Sequence, residues 1–312
     1  MPRLTFGAPA RRSRSGTALV LLAILPMLPW GGASIGAQTP SLGEILAGSP
    51  AADWRPLDPD NTLYLELPGG RVIIELSPDF SPRHVANVRA LARAHYWDGA
   101  AIARVQDDYV AQWGWSDSTA HPHGDAVDSI DQAEYDRAAG SLPFTPLPDP
   151  DSYAPFTGFT NGFPAGRDSA GTTWMLHCYG AVGVARGSSP DNGSGRELYV
   201  VIGQSPRHLD RNVAMIGRVV SGIELLSALP RGTGALGFYA TAAERTPITS
   251  IRVAAELPAA ERTPLEALRT ESGTFQKVIA SRRFRREEWF VQPTGHINVC
   301  NVPLSVRPVV AR

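Results

Sequence analysis

Hydrophobic residues in this chain fall mostly in short β-prone runs broken by turn residues. TLYLEL (62–67) and RVIIEL (71–76) flank Pro-Gly-Gly, which predicts a hairpin. The period then changes. In SPRHVANVRALARAHY (81–96), Val85, Val88 and Leu91 with Ala92 share one face, while Arg89 and Arg93 lie elsewhere. That predicts a helix, with Ser81 able to cap it and Pro82 suited to its first position. ARVQDDYVAQWGW (103–115) reads as one or two strands. Residues 116–178, rich in Pro, Gly and Asp, read as a loop-like insertion with a short helix near 131–138.

Strand signals resume at AVGVAR (181–186), ELYVVIG (197–203) and AMIGRVV (214–220). SGIELLSALP (221–230) predicts a second short helix stopped by Pro230, and PITSIRVAAEL (247–257) a last strand. After Pro264 a helical segment is expected to about 290, docking through Phe275, Val278 and Ile279. Residues 38–60 read as a linker, and no internal repeat is present.

Many strands in hairpin-like order, two helices far apart and no β-α-β alternation predict a mainly β fold. The economical form is an antiparallel sheet closed into a barrel, with helices capping its ends, because closure removes edges. The expected organisation is a barrel domain over 61–256, interrupted at 116–178, and a C-terminal extension over 257–312 packing on it.

Composition narrows the class. The 312 residues are 43% hydrophobic and 19% charged, enough apolar material for a sizeable core. Twenty-nine Lys+Arg against 30 Asp+Glu give a net charge of −1, so no nucleic-acid partner is expected. Arg3, Arg11, Arg12 and Arg14 precede an apolar run at 17–30 that is too short and proline-broken to span a bilayer. Small residues follow, with a cut expected after Ala37. This predicts an exported, periplasmic chain that does not stay in the membrane once its signal peptide (1–37) is removed. Cys178 and Cys300 are the two cysteines. An oxidising compartment would join them; the sequence leaves a disulfide and two buried thiols both open.

Residues 103–115 pose a question. Arg104 and Gln112 sit among apolar and aromatic residues, and such groups are costly to bury without partners. Asp107 and Asp108 offer one answer, an ion pair with Arg104. The motif order offers another. GRVIIELSPDFSPRHVANVRALARAHYWDG (70–99) comes first, then Ile102, Arg104, Val105, Tyr109, Gln112 and Gly114. GAVGVAR (180–186) and ELYV (197–200) follow, then Leu209, Asp210, Ile216, Gly217, Arg218, Val219 and Gly222. This series, over about 62–254, resembles the cyclophilin-type peptidyl-prolyl isomerases, and the Arg-x4-aromatic-x2-Gln spacing makes the combination specific.

The resemblance implies an eight-stranded antiparallel barrel with two capping helices and a substrate groove on its outside. It implies proline-containing polypeptide substrates and neither cofactor nor metal; a monomer is expected. Arg104 and Gln112 would be catalytic. Tyr109, Val110, Ala185, Arg186, Glu197, Tyr199, His208 and Leu209 would bind substrate. Several of these depart from the family pattern. Tyr109 and Tyr199 replace Phe, Val110 replaces Met, and His208 replaces Trp. Val213 stands for a His, Arg186 for the peptide-gripping Asn, and Glu197 for a Gln. Activity weaker or differently selective than in typical members is expected, and weak binding of cyclosporin. A peptide-binding or scaffold module without turnover is the other class that fits.

Remaining motifs add little. His121-Pro-His123 beside Asp125 is too sparse for a metal site. GRDSAG (166–171) lacks the spacing of a nucleophile elbow. RRFRREEW (282–289) reads as a solvated helix face, with partner docking as the alternative.

Overall fold

The chain enters through a short helix, α1 (Leu42–Ala47), whose Ser41 and Glu44 form a reciprocal capping box. A strand, β1 (Trp54–Pro56), follows, so the stretch read as a linker carries regular structure. The hairpin comes next: β2 (Thr62–Leu67) and β3 (Gly70–Leu76) pair from Leu67↔Gly70 to Thr62↔Glu75. The first long helix, α2 (Pro82–Arg93), buries Val85, Val88, Leu91 and Ala92 as its pattern required. Ser81 does not cap it. The Ser81 hydroxyl donates instead to the Met215 carbonyl, and the Glu134 carboxylate accepts from the Arg83 and His84 N–H groups. An anion arriving from the insertion therefore satisfies the helix's open amides.

Strands β4 (Ala101–Val105) and β5 (Val110–Gly114) form a second hairpin. The insertion is not merely loop. It holds β6 (Thr145–Leu147), β7 (Phe156–Thr160), β8 (Phe163–Arg167) and β9 (Thr173–Met175), a separate antiparallel sheet in that order. No helix forms at 131–138. The main sheet resumes with β10 (Ala181–Val184), β11 (Leu198–Val201) and β12 (Met215–Ser221). The second expected helix shrinks to α3 (Glu224–Ser227). Two short strands, β13 (Thr246–Pro247) and β14 (Ser250–Val253), replace the single one expected. Beyond them lie β15 (Leu265–Leu268), α4 (Gly273–Arg283) and β16 (Val306–Pro308). This computed structural model describes residues 40–115, 120–285, 287 and 289–309. The expected signal peptide lies outside them, and no described helix is long and apolar enough to cross a membrane.

The main sheet runs β13-β4-β5-β11-β10-β12-β3-β2-β14. This corrects the expectation of eight strands closed into a barrel. Nine strands curl around the core, and the outermost two, β13 and β14, do not pair with each other. They are consecutive in the chain, and between them Ile248 N–H donates to Ala100 while Thr249 N–H donates to Glu66. The last segment thus splits its hydrogen bonds between the two edges. Leu63, Leu65, Val72 and Ile74 meet Val88 and Leu91 of α2 in the core inside the curl, with Trp97 and Trp113.

A second core lies outside it. Phe159 of β7 meets Phe275 of α4 edge to face at 4.9 Å, with Trp174, Leu176, Val278 and Val299 around them. Insertion and C-terminal extension therefore share one apolar interior. A disulfide joins Cys178 to Cys300 across the same region. A third sheet, β1-β15-β16, ties the N-terminal stretch to the extension.

Candidate active site

The β4–β5 ladder shifts register between Ile102 and Arg104. The shift leaves Ile102 and Val105 fully buried and Arg104 half-buried, opposite Gln112. Neither neighbouring aspartate takes the guanidinium. Asp107 pairs with Arg231 at 2.8 Å, and Asp108 accepts from the Gln204 N–H. Arg104 instead has three neutral acceptors. Nε donates to the Leu236 carbonyl at 2.7 Å, Nη1 to Gln112 Oε1 at 3.1 Å, and Nη2 to Gln106 Oε1. Five N–H groups less these three leave two uncommitted. Burial draws the guanidinium below its usual pKa, opposed by the nearby Tyr109. It stays cationic at neutral pH.

The loop at 232–240 creates this setting. Its backbone runs beside β4, with Gly232 N–H on Val105, Tyr239 N–H on Ala103 and a bridge between Arg104 and Phe238. The approach is close at Gly237, where φ is +78° and a Cβ would lie 2.6 Å from the Gln106 Cα. Phe238 and Tyr109 flank the cation, their ring centres 5.3 and 5.5 Å from Arg104 Cζ. Both contacts suit a guanidinium, which stacks well on aromatic faces.

Beside Arg104 opens a groove of about 460 Å³. Of the residues expected to act or bind, Arg104, Tyr109, Val110, Gln112, Ala185, Arg186, Tyr199 and Leu209 all line it. Glu197 stands just behind, accepting from Gln112 Nε2 at 2.9 Å. The Arg186 side chain donates to the Asn212 and Gly187 carbonyls. His208 is exposed and does not line the groove. Val184, Val213 and Phe238 complete the lining. Tyr199 lies against Gly183, its cross-strand partner, where a Cβ would fall 2.3 Å from the phenol. Burial pushes the Tyr199 phenol far above its usual pKa, so it is neutral.

The other candidate sites do not assemble. His121 stacks on Trp115 and His123 faces Asp128 at 3.4 Å. Among the described residues, no cluster of three or more His, Cys, Asp or Glu is placed to hold a metal ion.

Groove, cation and amide sit together on the curled antiparallel sheet. The family model for cyclophilin-type peptidyl-prolyl cis-trans isomerases matches residues 62–253, and the chain belongs to that family. A probable peptidyl-prolyl cis-trans isomerase of Brucella suis is 28% identical over 195 residues, covering 62% of this chain and 81% of that one. Its Brucella abortus counterpart is 27% identical over the same length and shares. The crystal structure of the cyclophilin AquaCyp293 from Hirschia baltica superposes with a TM-score of 0.64 at 24% identity. It covers 83% of this chain and 94% of that chain.

Proposed function

We propose that this protein is an exported peptidyl-prolyl cis-trans isomerase that speeds X–Pro exchange in other exported polypeptides. One observation carries the reading: a fixed guanidinium with two uncommitted N–H groups at the rim of an apolar groove. The X–Pro amide is slow to rotate because resonance gives a barrier of about 18–20 kcal/mol. No bond breaks, so the chemistry calls for neither nucleophile nor cofactor. The enzyme has only to bind the twisted amide more tightly than either planar form.

In the twisted state the proline nitrogen regains a lone pair. Arg104 is held to donate to it, and the tethers through Leu236, Gln106 and Gln112 prepay the ordering of its side chain. Tyr109, Val110, Tyr199 and Leu209 form the apolar seat for the proline ring. Water excluded from that seat strengthens the Arg104 hydrogen bonds. Gln112 keeps an unspent lone pair and an unspent N–H for the peptide backbone. Export is supported by the basic lead and apolar run ahead of Ala37, and by the disulfide, which suits an oxidising compartment.

A binding module without turnover has its own support. Arg186 ties two of its five N–H groups to backbone carbonyls, and His208 stands off the groove, so the peptide grip is altered. Proline-limited refolding of a client protein separates the two readings. Acceleration by the wild type and its loss in Arg104→Ala establish the enzyme. A wild type no faster than an equal mass of inert protein leaves the binding module.

A further inference from the structure

Beneath the groove floor runs a chain of buried polar groups that the catalytic reading leaves unused. His177, just after β9 at the end of the insertion, is fully buried. Its Nδ1 lies 2.9 Å from Asp210 Oδ1, which also accepts from the His177 backbone N–H at 3.0 Å. Its Nε2 lies 2.9 Å from the Tyr199 hydroxyl. Arg207 Nε donates to the other Asp210 oxygen at 2.5 Å, and Arg207 Nη1 and Nη2 reach the two oxygens of Asp151 at 3.0 Å each. Asp151 and His177 thus enter from the insertion, and Tyr199, Arg207 and Asp210 from the main sheet and its following loop.

This order assigns the protons. A carboxylate only accepts, so the ring proton sits on His177 Nδ1. In the neutral ring Nε2 is then an acceptor, to which the Tyr199 O–H donates. The other neighbour of that hydroxyl is the Met215 sulfur at 3.7 Å, a weak partner. Tyr199 also lines the groove. A phenol in that position brings a hydroxyl that must be satisfied, or the floor turns polar and wet.

We propose that His177 is a positioning residue of this isomerase, drawing the Tyr199 hydroxyl down and away from the groove so that the ring presents an apolar floor to proline. The insertion thereby helps set the specificity of a pocket it does not line. This rests on the isomerase reading above. Without His177 the hydroxyl has no strong partner below, and either turns toward the groove or recruits water. Both compete with an apolar ring.

The test is a double-mutant cycle on KM for an Ala-Pro oligopeptide and on the affinity of the same peptide by fluorescence titration. Melting curves confirm that each variant is folded. His177→Ala is expected to raise both constants about tenfold, the cost of one unsatisfied buried hydroxyl. In the Tyr199→Phe background the same change is expected to shift them less than about twofold, because no hydroxyl remains to be satisfied. If His177→Ala does not fold, His177→Gln, which keeps a side-chain acceptor, is set against His177→Leu. The Gln variant should be milder in the wild-type background and equal to Leu in the Tyr199→Phe background. Equal costs in the two backgrounds, or no cost, would overturn the proposal while leaving the isomerase reading intact. A wild type that neither turns over nor binds the peptide overturns that reading and this one with it.

Discussion

Arg104 and Gln112 face each other across the β4–β5 ladder, and the guanidinium donates to the amide oxygen at 3.1 Å. The pairing fixes one edge of the cation while Leu236 and Gln106 fix the others. A lysine would keep the charge but not the planar fan that makes three tethers and still offers donors. Arg104→Lys should therefore lower kcat/KM about a hundredfold, as expected for losing one aimed donor. Its unfolding free energy should fall by about 1–3 kcal/mol with the fold retained, because the three tethers of a charged donor are weakened or lost. Refolding kinetics and urea unfolding check both halves. Near wild-type turnover in this variant would remove Arg104 from the chemistry.

Phe238 covers the same cation, its ring centre 5.3 Å from Arg104 Cζ and its side chain lining the groove. Phe238→Ala leaves the Leu236 carbonyl tether in place but opens the guanidinium to water. Each donor then acts in a higher dielectric, and the loss of one cation–π contact is worth about 0.5–2 kcal/mol. We expect kcat/KM to fall about two- to thirtyfold with the fold retained. Unchanged kinetics would place Phe238 outside the working groove.

Part of this architecture is legible in the amino-acid sequence and part is not, for physical reasons. α2 was legible because Val85, Val88 and Leu91 repeat at helical spacing, and the β2–β3 hairpin because Pro-Gly-Gly separates two β-prone runs. The groove residues were reachable through motif order, since each stands at a fixed distance from a strand. Phe238 was not. GALGFYA carries no periodicity, and its place beside Arg104 comes from backbone bonds to Ala103 and Val105 more than a hundred residues away in sequence. The cap on α2 failed likewise. Ser81 is the residue type that caps, yet Glu134, in an insertion without regular pattern, supplies the acceptor. His177 had only its neighbour Cys178 to mark it. His208, next to the groove-lining Leu209, is exposed and off the lining itself, because a position in a motif does not say where the following loop turns.

The bond between Cys178 and Cys300 closes 122 residues and joins the end of the insertion to the extension. Opening it frees the unfolded chain far more than the folded one, which the second core still holds. The chain-entropy model puts the effect at roughly 4–5 kcal/mol for a loop of this length. Cys178→Ala/Cys300→Ala should unfold at lower urea concentration by that order, and adding reductant to the wild type should reproduce the change. Superimposable unfolding curves would show that the second core alone holds insertion and extension together.

Asp151 meets Arg207 through both oxygens, 3.0 Å from Nη1 and Nη2, and both side chains are buried. Burial alone would raise the Asp151 pKa. The Arg207 hydrogen bonds and charge, with the N–H groups of Tyr153 and Ala154, outweigh it and hold the carboxyl below its usual range. Its folded pKa is thus lower than its unfolded one, so the unfolded chain binds more protons as the medium turns acid. The stability this pair gives is complete above the unfolded value, about pH 4, and is lost as pH falls through the folded one. Wild-type stability should therefore decline below about pH 4. Asp151→Asn should be less stable at neutral pH, by less than the roughly 3–5 kcal/mol of a fully orphaned buried charge, because Asp210 still pairs with Arg207. The Asn variant should also lose less on acidification, since one depressed carboxyl is gone. Urea unfolding of both proteins from about pH 3 to pH 7 reads the two slopes. Parallel slopes would mean that Asp151 is no more acidic in the folded protein than in the unfolded chain.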